Sequence, residues 1–314
     1  MVSGDNLSKV PIFIKGRNGL VQINAEIQDT HPLGSGKGNV VFIGDCPGTH
    51  KDFEYMVDIL KKKGIRCICI NFPGLGHTPY YDIFKHTNKE RIHFVMKILK
   101  NIDARSNLVF VGHSRGSENA LKLATLLGPN TVGTLLINPI PVLPYRELRE
   151  NYWTFKIFGF LLKSSGIVYF IFSRIALVYY NWYYSKSETN PYVVGSFYQC
   201  MSSINLRDQL PFIDKFNTQK TKLLISYGGD DPSIETSVSL DFVSRFELDN
   251  QMVVDEETPE DLAKFRMVTF YQNGLSKLGC FFKDGNHYLQ KNKADFLVSA
   301  ILCMLDLNYG RSSF

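Results

Sequence analysis

A chain of 314 residues with 44% hydrophobic content can bury a large core, either as one sizeable α/β domain or as two smaller units. Its net charge of +5 is modest for that length, and its Lys and Arg are dispersed, so the chain carries no nucleic-acid footprint. The first thirty residues lack the apolar core of a secretory signal. The six cysteines (Cys46, Cys67, Cys69, Cys200, Cys280, Cys303) show neither C-x-x-C pairs nor His partners at zinc spacing. The expectation is a cytoplasmic protein with reduced, buried thiols and no metal.

In chain order, β-branched or apolar runs at 10–15, 20–28, 39–44, 65–72, 108–112, 132–138, 222–228 and 278–283 predict eight strands. Lys15-Gly16-Arg17-Asn18-Gly19 joins the first two as a hairpin turn. Between the later runs lie helical patterns. Phe53, Met56, Val57 and Leu60 recur at helical spacing before Gly64, and Thr87 to Glu90 has capping-box form ahead of Ile92, Val95, Met96 and Leu99. Gly128-Pro129 closes a helix through Ala120, Leu121, Ala124 and Leu127. Further helices are expected at 234–248 and 258–273, with a last one through Phe296, Leu297, Ala300, Ile301 and Met304. Strands apolar on both faces that alternate with helices imply a mostly parallel, doubly wound sheet with an antiparallel hairpin at one edge, whose ligands bind at the strands' carboxyl ends. Gly34-Ser35-Gly36-Lys37-Gly38 glances toward a phosphate loop, but Lys37 is followed by Gly and then by a strand, so that reading is rejected.

The predicted strand at 108–112 runs into Gly112-His113-Ser114-Arg115-Gly116 and then into a helix. A Gly-x-Ser-x-Gly stretch in that setting makes a nucleophile elbow, whose strained serine needs small residues two before and two after it. Such a serine needs a base and an orienting acid in the order Ser, Asp or Glu, His. Strand 222–228 ends in Gly228-Gly229-Asp230-Asp231-Pro232, and strand 278–283 ends in Asp284-Gly285-Asn286-His287. Each of these side chains alone reads as a cap, turn or surface-loop residue. Three at three strand ends in the required order read as Ser114, an acid at 230 or 231, and His287. His113 and His77 read as packing or positioning residues.

Pro47-Gly48, Asp52-Phe53, Asn71-Phe72-Pro73-Gly74-Leu75-Gly76-His77-Thr78, Gly112 to Leu121 and Gly228-Gly229-Asp230-Asp231 together resemble the α/β-hydrolase superfamily over essentially the whole chain. They are most similar to a group abundant in nematodes with HGxPG, NxPGxGxT, GHSRGxENAL and GGxD motifs. The resemblance implies an α/β-hydrolase core over 1–140 and 217–314 with a helical cap inserted at 141–216. It selects Asp231 as triad acid, with Asp230 as alternate, and implies an oxyanion hole from the backbone amides of Cys46 and Arg115. It implies no cofactor.

One departure is consequential. Gly44-Asp45-Cys46-Pro47-Gly48 stands where the group has HGxPG, so Asp45 brings a negative charge to a site that must stabilise one. Loss of one oxyanion donor costs roughly 10²–10³ in turnover.

The cap is rich in aromatics, with 17 of the chain's 41 between Tyr145 and Tyr198, and it has no Asp or Glu between Asn151 and Ser187. A transmembrane span at 166–182 fails on length and on Arg174 near its middle. Two readings stay open: Trp153, Phe158 and Trp182 line a substrate pocket, or the aromatics pack the cap onto the core. Interleaved Lys156, Lys163, Arg174 and Lys186 also suit a peripheral contact of the cap with an anionic membrane surface. The 56-residue segment from Asp231 to His287, with its acidic run, reads as a solvated excursion or partner site. The expected function is a serine hydrolase acting on an ester or related acyl bond of a small apolar, including lipid-like, substrate. The alternative is a catalytically weakened member of the fold that binds a ligand or partner. Oligomeric state is not legible.

Overall fold

The apolar runs pair into one sheet in the computed structural model, which describes residues 7–16, 19–164 and 166–307. Its strands are β1 (Leu7–Gly16), β2 (Gly19–Asp29), β3 (Asn39–Ile43), β4 (Arg66–Ile70), β5 (Leu108–His113), β6 (Thr131–Ile137), β7 (Lys222–Gly228), β8 (Asn250–Val254) and β9 (Lys277–Phe282). The order is β1-β2-β4-β3-β5-β6-β7-β9-β8. β1 and β2 form the expected antiparallel edge hairpin, β2 meets β4 antiparallel, and every other pairing is parallel. Arg17 and Asn18 of the expected turn lie outside the described residues.

The sheet has nine strands rather than eight. The missed strand, β8, reads NQMVV and occupies the far edge, where only alternate side chains, Met252 and Val254, are buried. Its three apolar residues, Met252 to Val254, stand between Gln251 and Asp255 and gave no run long enough to stand out.

Helices α1 (Glu54–Lys62), α2 (Asn88–Asn101) and α3 (Arg115–Leu127) alternate with the first strands. Between β6 and β7 lie α4 (Arg146–Glu150), α5 (Tyr152–Leu162), α6 (Ile167–Tyr184), α7 (Pro191–Ser202) and α8 (Leu210–Asn217). Then come α9 (Thr236–Val243), α10 (Glu260–Gln272), α11 (Leu289–Asn292) and α12 (Ala294–Met304). The central strands are buried at nearly every position, and mostly apolar, because both faces are covered. Val41 and Ile43 pack with residues of α2 and α3, whereas Val40 and Phe42 pack with α1 and α12. α2 starts at the expected capping box, in which the Thr87 amide donates to Glu90 Oε2 at 2.9 Å and the Glu90 amide donates to Thr87 Oγ1.

A buried ion pair fixes the hairpin to the parallel strands. Arg66 at the start of β4 donates from Nε and Nη2 to the two oxygens of Asp29 at 3.0 and 2.7 Å, and both side chains are buried. Nη2 also donates to the Ile102 carbonyl. Removing one partner leaves the other charge buried and unpaired, so Asp29→Ala is expected to lower stability by about 3–5 kcal/mol in urea denaturation.

Candidate active site

At the end of β5 the chain turns directly into α3. Ser114 sits at that turn with φ 47° and ψ −119°, a conformation that side-chain-bearing residues rarely adopt. The flanking glycines make the crossing sterically feasible. A Cβ at Gly116 would lie 2.1 Å from the Ile43 carbonyl oxygen, and one at Gly112 would lie 2.5 Å from Ser117 Cα. α3 thus presses its first turn onto the end of β3 and holds Ser114 at the carboxyl edge of the sheet. The Ser114 amide donates to the Ile137 carbonyl on β6, and its carbonyl accepts from Ser117 Oγ at 2.6 Å.

The polar residues after the serine build the helix into the protein. The fully buried Arg115 guanidinium pairs with Glu118 at 2.6 Å, and Glu118 also accepts from Lys122 at 2.7 Å. Asn119 accepts from Arg91, whose guanidinium lies over the Phe72 ring. All five of these polar side chains are buried.

The other two expected side chains meet. His287 Nδ1 lies 2.7 Å from Asp231 Oδ2, and Asp231 Oδ1 accepts from the backbone amides of Ser233 and Ile234. Asp230 is not the partner of the histidine: its side chain is exposed and its amide donates to the Gly285 carbonyl. The two loops lie so close that a Cβ at Gly228 would fall 2.0 Å from the Gly285 oxygen, which explains the paired glycines before the acid.

Two supporting residues escaped the sequence reading. Asn138, one residue past β6 with φ 39°, donates to the Asn286 carbonyl and accepts from the Gly228 amide, tying the acid and histidine loops together. Gln290 lies 3.2 Å from His113 Nδ1, and His113 Nε2 lies 2.8 Å from the His287 carbonyl. Burial pushes the His113 imidazole down to about 4, so at neutral pH an uncharged ring stands between Gln290 and the His287 backbone.

Asp45 occupies the centre of the site. Its Oδ1 accepts from the Arg115 amide at 3.1 Å, and its Oδ2 lies 3.7 Å from His287 Nε2. A carboxylate oxygen therefore sits on one of the two amides expected to form the oxyanion hole. Burial opposes the charge, but the facing His287 imidazole and the Cys46 amide outweigh it and pull Asp45 down to about 2. Burial likewise works against a charged His287, yet the carboxylates of Asp231 and Asp45 push it up to about 10. Ser114 Oγ has no hydrogen-bond partner among the described residues.

Beside this group opens a cavity of about 380 Å³, lined by Asp45, Glu147, Tyr180, Tyr184, Phe197 and His287 among others. Burial and then the nearby Asp45 charge push Glu147 up to about 7. The three aromatics expected to line a substrate pocket do not face it. Trp153 borders a separate groove with Val142, Leu148 and Ile204, and Trp182 projects to solvent. Phe158 packs on Tyr198 and Tyr179. α5 and α6 are aromatic or aliphatic around much of their circumference, so composition could not tell which residues turn inward. All six cysteines are free and five are buried. Among the described residues no group of His, Cys, Asp and Glu is arranged to hold a metal.

A family model described as "Alpha/beta hydrolase of unknown function (DUF1057)" matches residues 6–306. An uncharacterised protein of Caenorhabditis elegans is 24% identical over 292 residues, covering 90% of this chain and 82% of its own length. Among solved structures, a bromoperoxidase from Bacillus anthracis matches with TM-score 0.62 and 15% identity, covering 95% of this chain and all of its own. A thermophilic esterase from Thermogutta terrifontis matches with TM-score 0.62 and 13% identity, covering 94% and 96%. At these identities the likeness to solved structures is one of fold.

The steric argument at the elbow has a direct check. Gly116→Ala is expected to lower stability by about 1–3 kcal/mol, because the new Cβ meets a backbone carbonyl that cannot retreat. Gly36→Ala, at a site with nothing within 4 Å, should stay within about 0.5 kcal/mol of wild type in the same urea titration.

Proposed function

The chain belongs to the family of alpha/beta hydrolases of unknown function, and on that footing we propose that it is a serine hydrolase that cleaves an ester or related acyl bond. The observation that carries this reading is a strained serine at the elbow together with a histidine held on Asp231 at 2.7 Å. In the proposed reaction Ser114 Oγ attacks the carbonyl carbon while its proton passes to His287 Nε2, and Asp231 holds the imidazole in orientation through Nδ1. The carbonyl oxygen takes the negative charge and is held by the amides of Arg115 and Cys46. Collapse breaks the bond to the leaving group, which accepts the proton from His287, and water then releases the acyl group by the same sequence. The rings of Tyr180, Tyr184 and Phe197 offer an apolar acyl chain its binding surface.

For this chemistry Asp45 must leave the Arg115 amide, since one donor cannot serve a carboxylate and a developing oxyanion together. The same contact favours the second reading, a weakened hydrolase fold that binds a ligand without turnover.

Fluorophosphonate labelling separates the two. Under the hydrolase reading wild type is labelled, Ser114→Ala is not, and Asp231→Asn and His287→Ala react far more slowly. Asp45→Gly, which frees the Arg115 amide, is expected to label faster by up to roughly 10²-fold. Folded wild type and Asp45→Gly that both stay unlabelled would remove the hydrolase reading and leave the binding one.

The pH dependence follows from the charge on His287. Its proton is held up to about 10, so at neutral pH the ring is mostly imidazolium and cannot accept the serine proton. The labelling rate of wild type should climb as pH rises toward that value. Asp45→Asn removes one of the two carboxylates that hold the proton, and the rise should move to lower pH.

A further inference from the structure

The outer faces of α5 and α6 are exposed and apolar to a degree that the chemistry at the cleft does not use. On α5, Trp153, Ile157 and Phe160 recur at helical spacing, with Trp153 73% and Phe160 78% exposed. On α6 the same pattern runs through Ile167, Ile171, Ile175, Val178 and Trp182, and the residues at its two ends are 74% and 75% exposed. The inner faces of both helices are committed. Phe155 packs on Phe197 of α7, Tyr180 packs on the same ring, and a Cβ at Gly159 would meet Ser202 Cβ at 2.1 Å. Since both helices turn their buried sides to α7, their apolar stripes both face away from it. Large apolar side chains exposed in regular stripes on neighbouring helices mark an interaction site.

Charge identifies the occupant. Lys156, Lys163, Arg174 and Lys186 are exposed along these helices and their ends, and no Asp or Glu occurs between Asn151 and Ser187. None of the four forms an ion pair among the described residues. Arg174, within the α6 stripe, folds its guanidinium over the Phe170 ring at 3.5 Å and donates to the Phe170 carbonyl at 2.8 Å, so its stem covers apolar surface and its charge turns aside. A second copy of the same face would oppose like charges. Among the described residues no helix is long and apolar enough to cross a membrane. Aromatic and aliphatic side chains on one face, flanked by basic ones of which Lys156 and Arg174 contact backbone carbonyls and rings, fit a helix pair lying in the plane of a bilayer surface.

We propose that the outer face of α5 and α6 docks on an anionic phospholipid surface, with Trp153, Phe160, Ile171 and Trp182 entering the headgroup region and Lys156, Lys163 and Lys186 meeting lipid phosphates. α6 then has two working sides, since Tyr180 and Tyr184 on its inner side line the cavity beside Asp45 and His287. The docking stands independently of Ser114 chemistry.

The test is flotation of the full chain with vesicles of phosphatidylcholine alone and of phosphatidylcholine mixed with phosphatidylserine. Wild type should float with the mixed vesicles and remain largely behind with neutral ones, and raised salt should weaken the binding. Trp153→Glu/Phe160→Glu/Trp182→Glu should lower partition at least roughly tenfold, and Lys156→Glu/Lys163→Glu should abolish the preference for the anionic lipid. These side chains are mostly exposed, and unchanged circular dichroism and urea midpoint would show the variants intact. Wild type that fails to float with either vesicle overturns the proposal. Equal flotation with both overturns the assignment to anionic lipid. A wild-type dimer that the apolar variants make monomeric, with no flotation, overturns it in favour of self-association.

Discussion

The site depends on one steric constraint, the crossing of α3 over the end of β3 with only glycine hydrogens between the helix and the strand's last carbonyls. Ile43 and Gly44 present their oxygens to Gly116 so closely that a methyl group has no room. That approach forces the abrupt turn at Ser114 and pins its backbone in a conformation the residue would not adopt freely. It also brings the loop after β3, with Asp45 and Cys46, within reach of the Arg115 amide. Ser114, the Arg115 amide and the carboxylate that occupies it are thus set by a single contact between two elements.

Beneath that turn lies a cost the fold meets with ion pairing. Arg115, Glu118 and Lys122 are all buried, and buried charges are tolerated only when paired and hydrogen-bonded. Lys122 reaches on to Asp208, just before α8, and Arg115 reaches Asn88 at the start of α2. The conspicuous polar letters after the serine are therefore anchors that lock α3 to its neighbours, and the helix can carry the strain at its first residue because its body is held from several sides.

The sequence was readable where burial is two-sided and where candidate residues follow directly on a strand. The central strands announced themselves because burial on both faces makes them mostly apolar, and Ser114, Asp231 and His287 follow three strand ends. β8 was hidden because an edge strand buries alternate residues only. Asp45 was legible as a charge in the wrong place. That it would bridge the Arg115 amide and His287 depended on how closely two loops distant in sequence approach. Asn138 carried no signal beyond being an Asn after a strand, since its role lies in reaching Asn286 and Gly228 on other loops. The inserted helices were the least legible. Their aromatics are so numerous that periodicity cannot assign an inside, and tyrosines rather than tryptophans face the cleft.

If the cleft hydrolyses an acyl bond as proposed, the position of Asp45 bears on what can stay there afterwards. Acyl hydrolysis leaves a carboxylic acid, which ionises at neutral pH and would need the same amide and imidazolium that Asp45 already contacts. A returning side-chain carboxylate competes with the product at effectively intramolecular concentration and repels it at close range. On the proposed chemistry, the carboxylate that must move aside before attack would on its return displace the acid product, and one charge would act at both ends of the cycle.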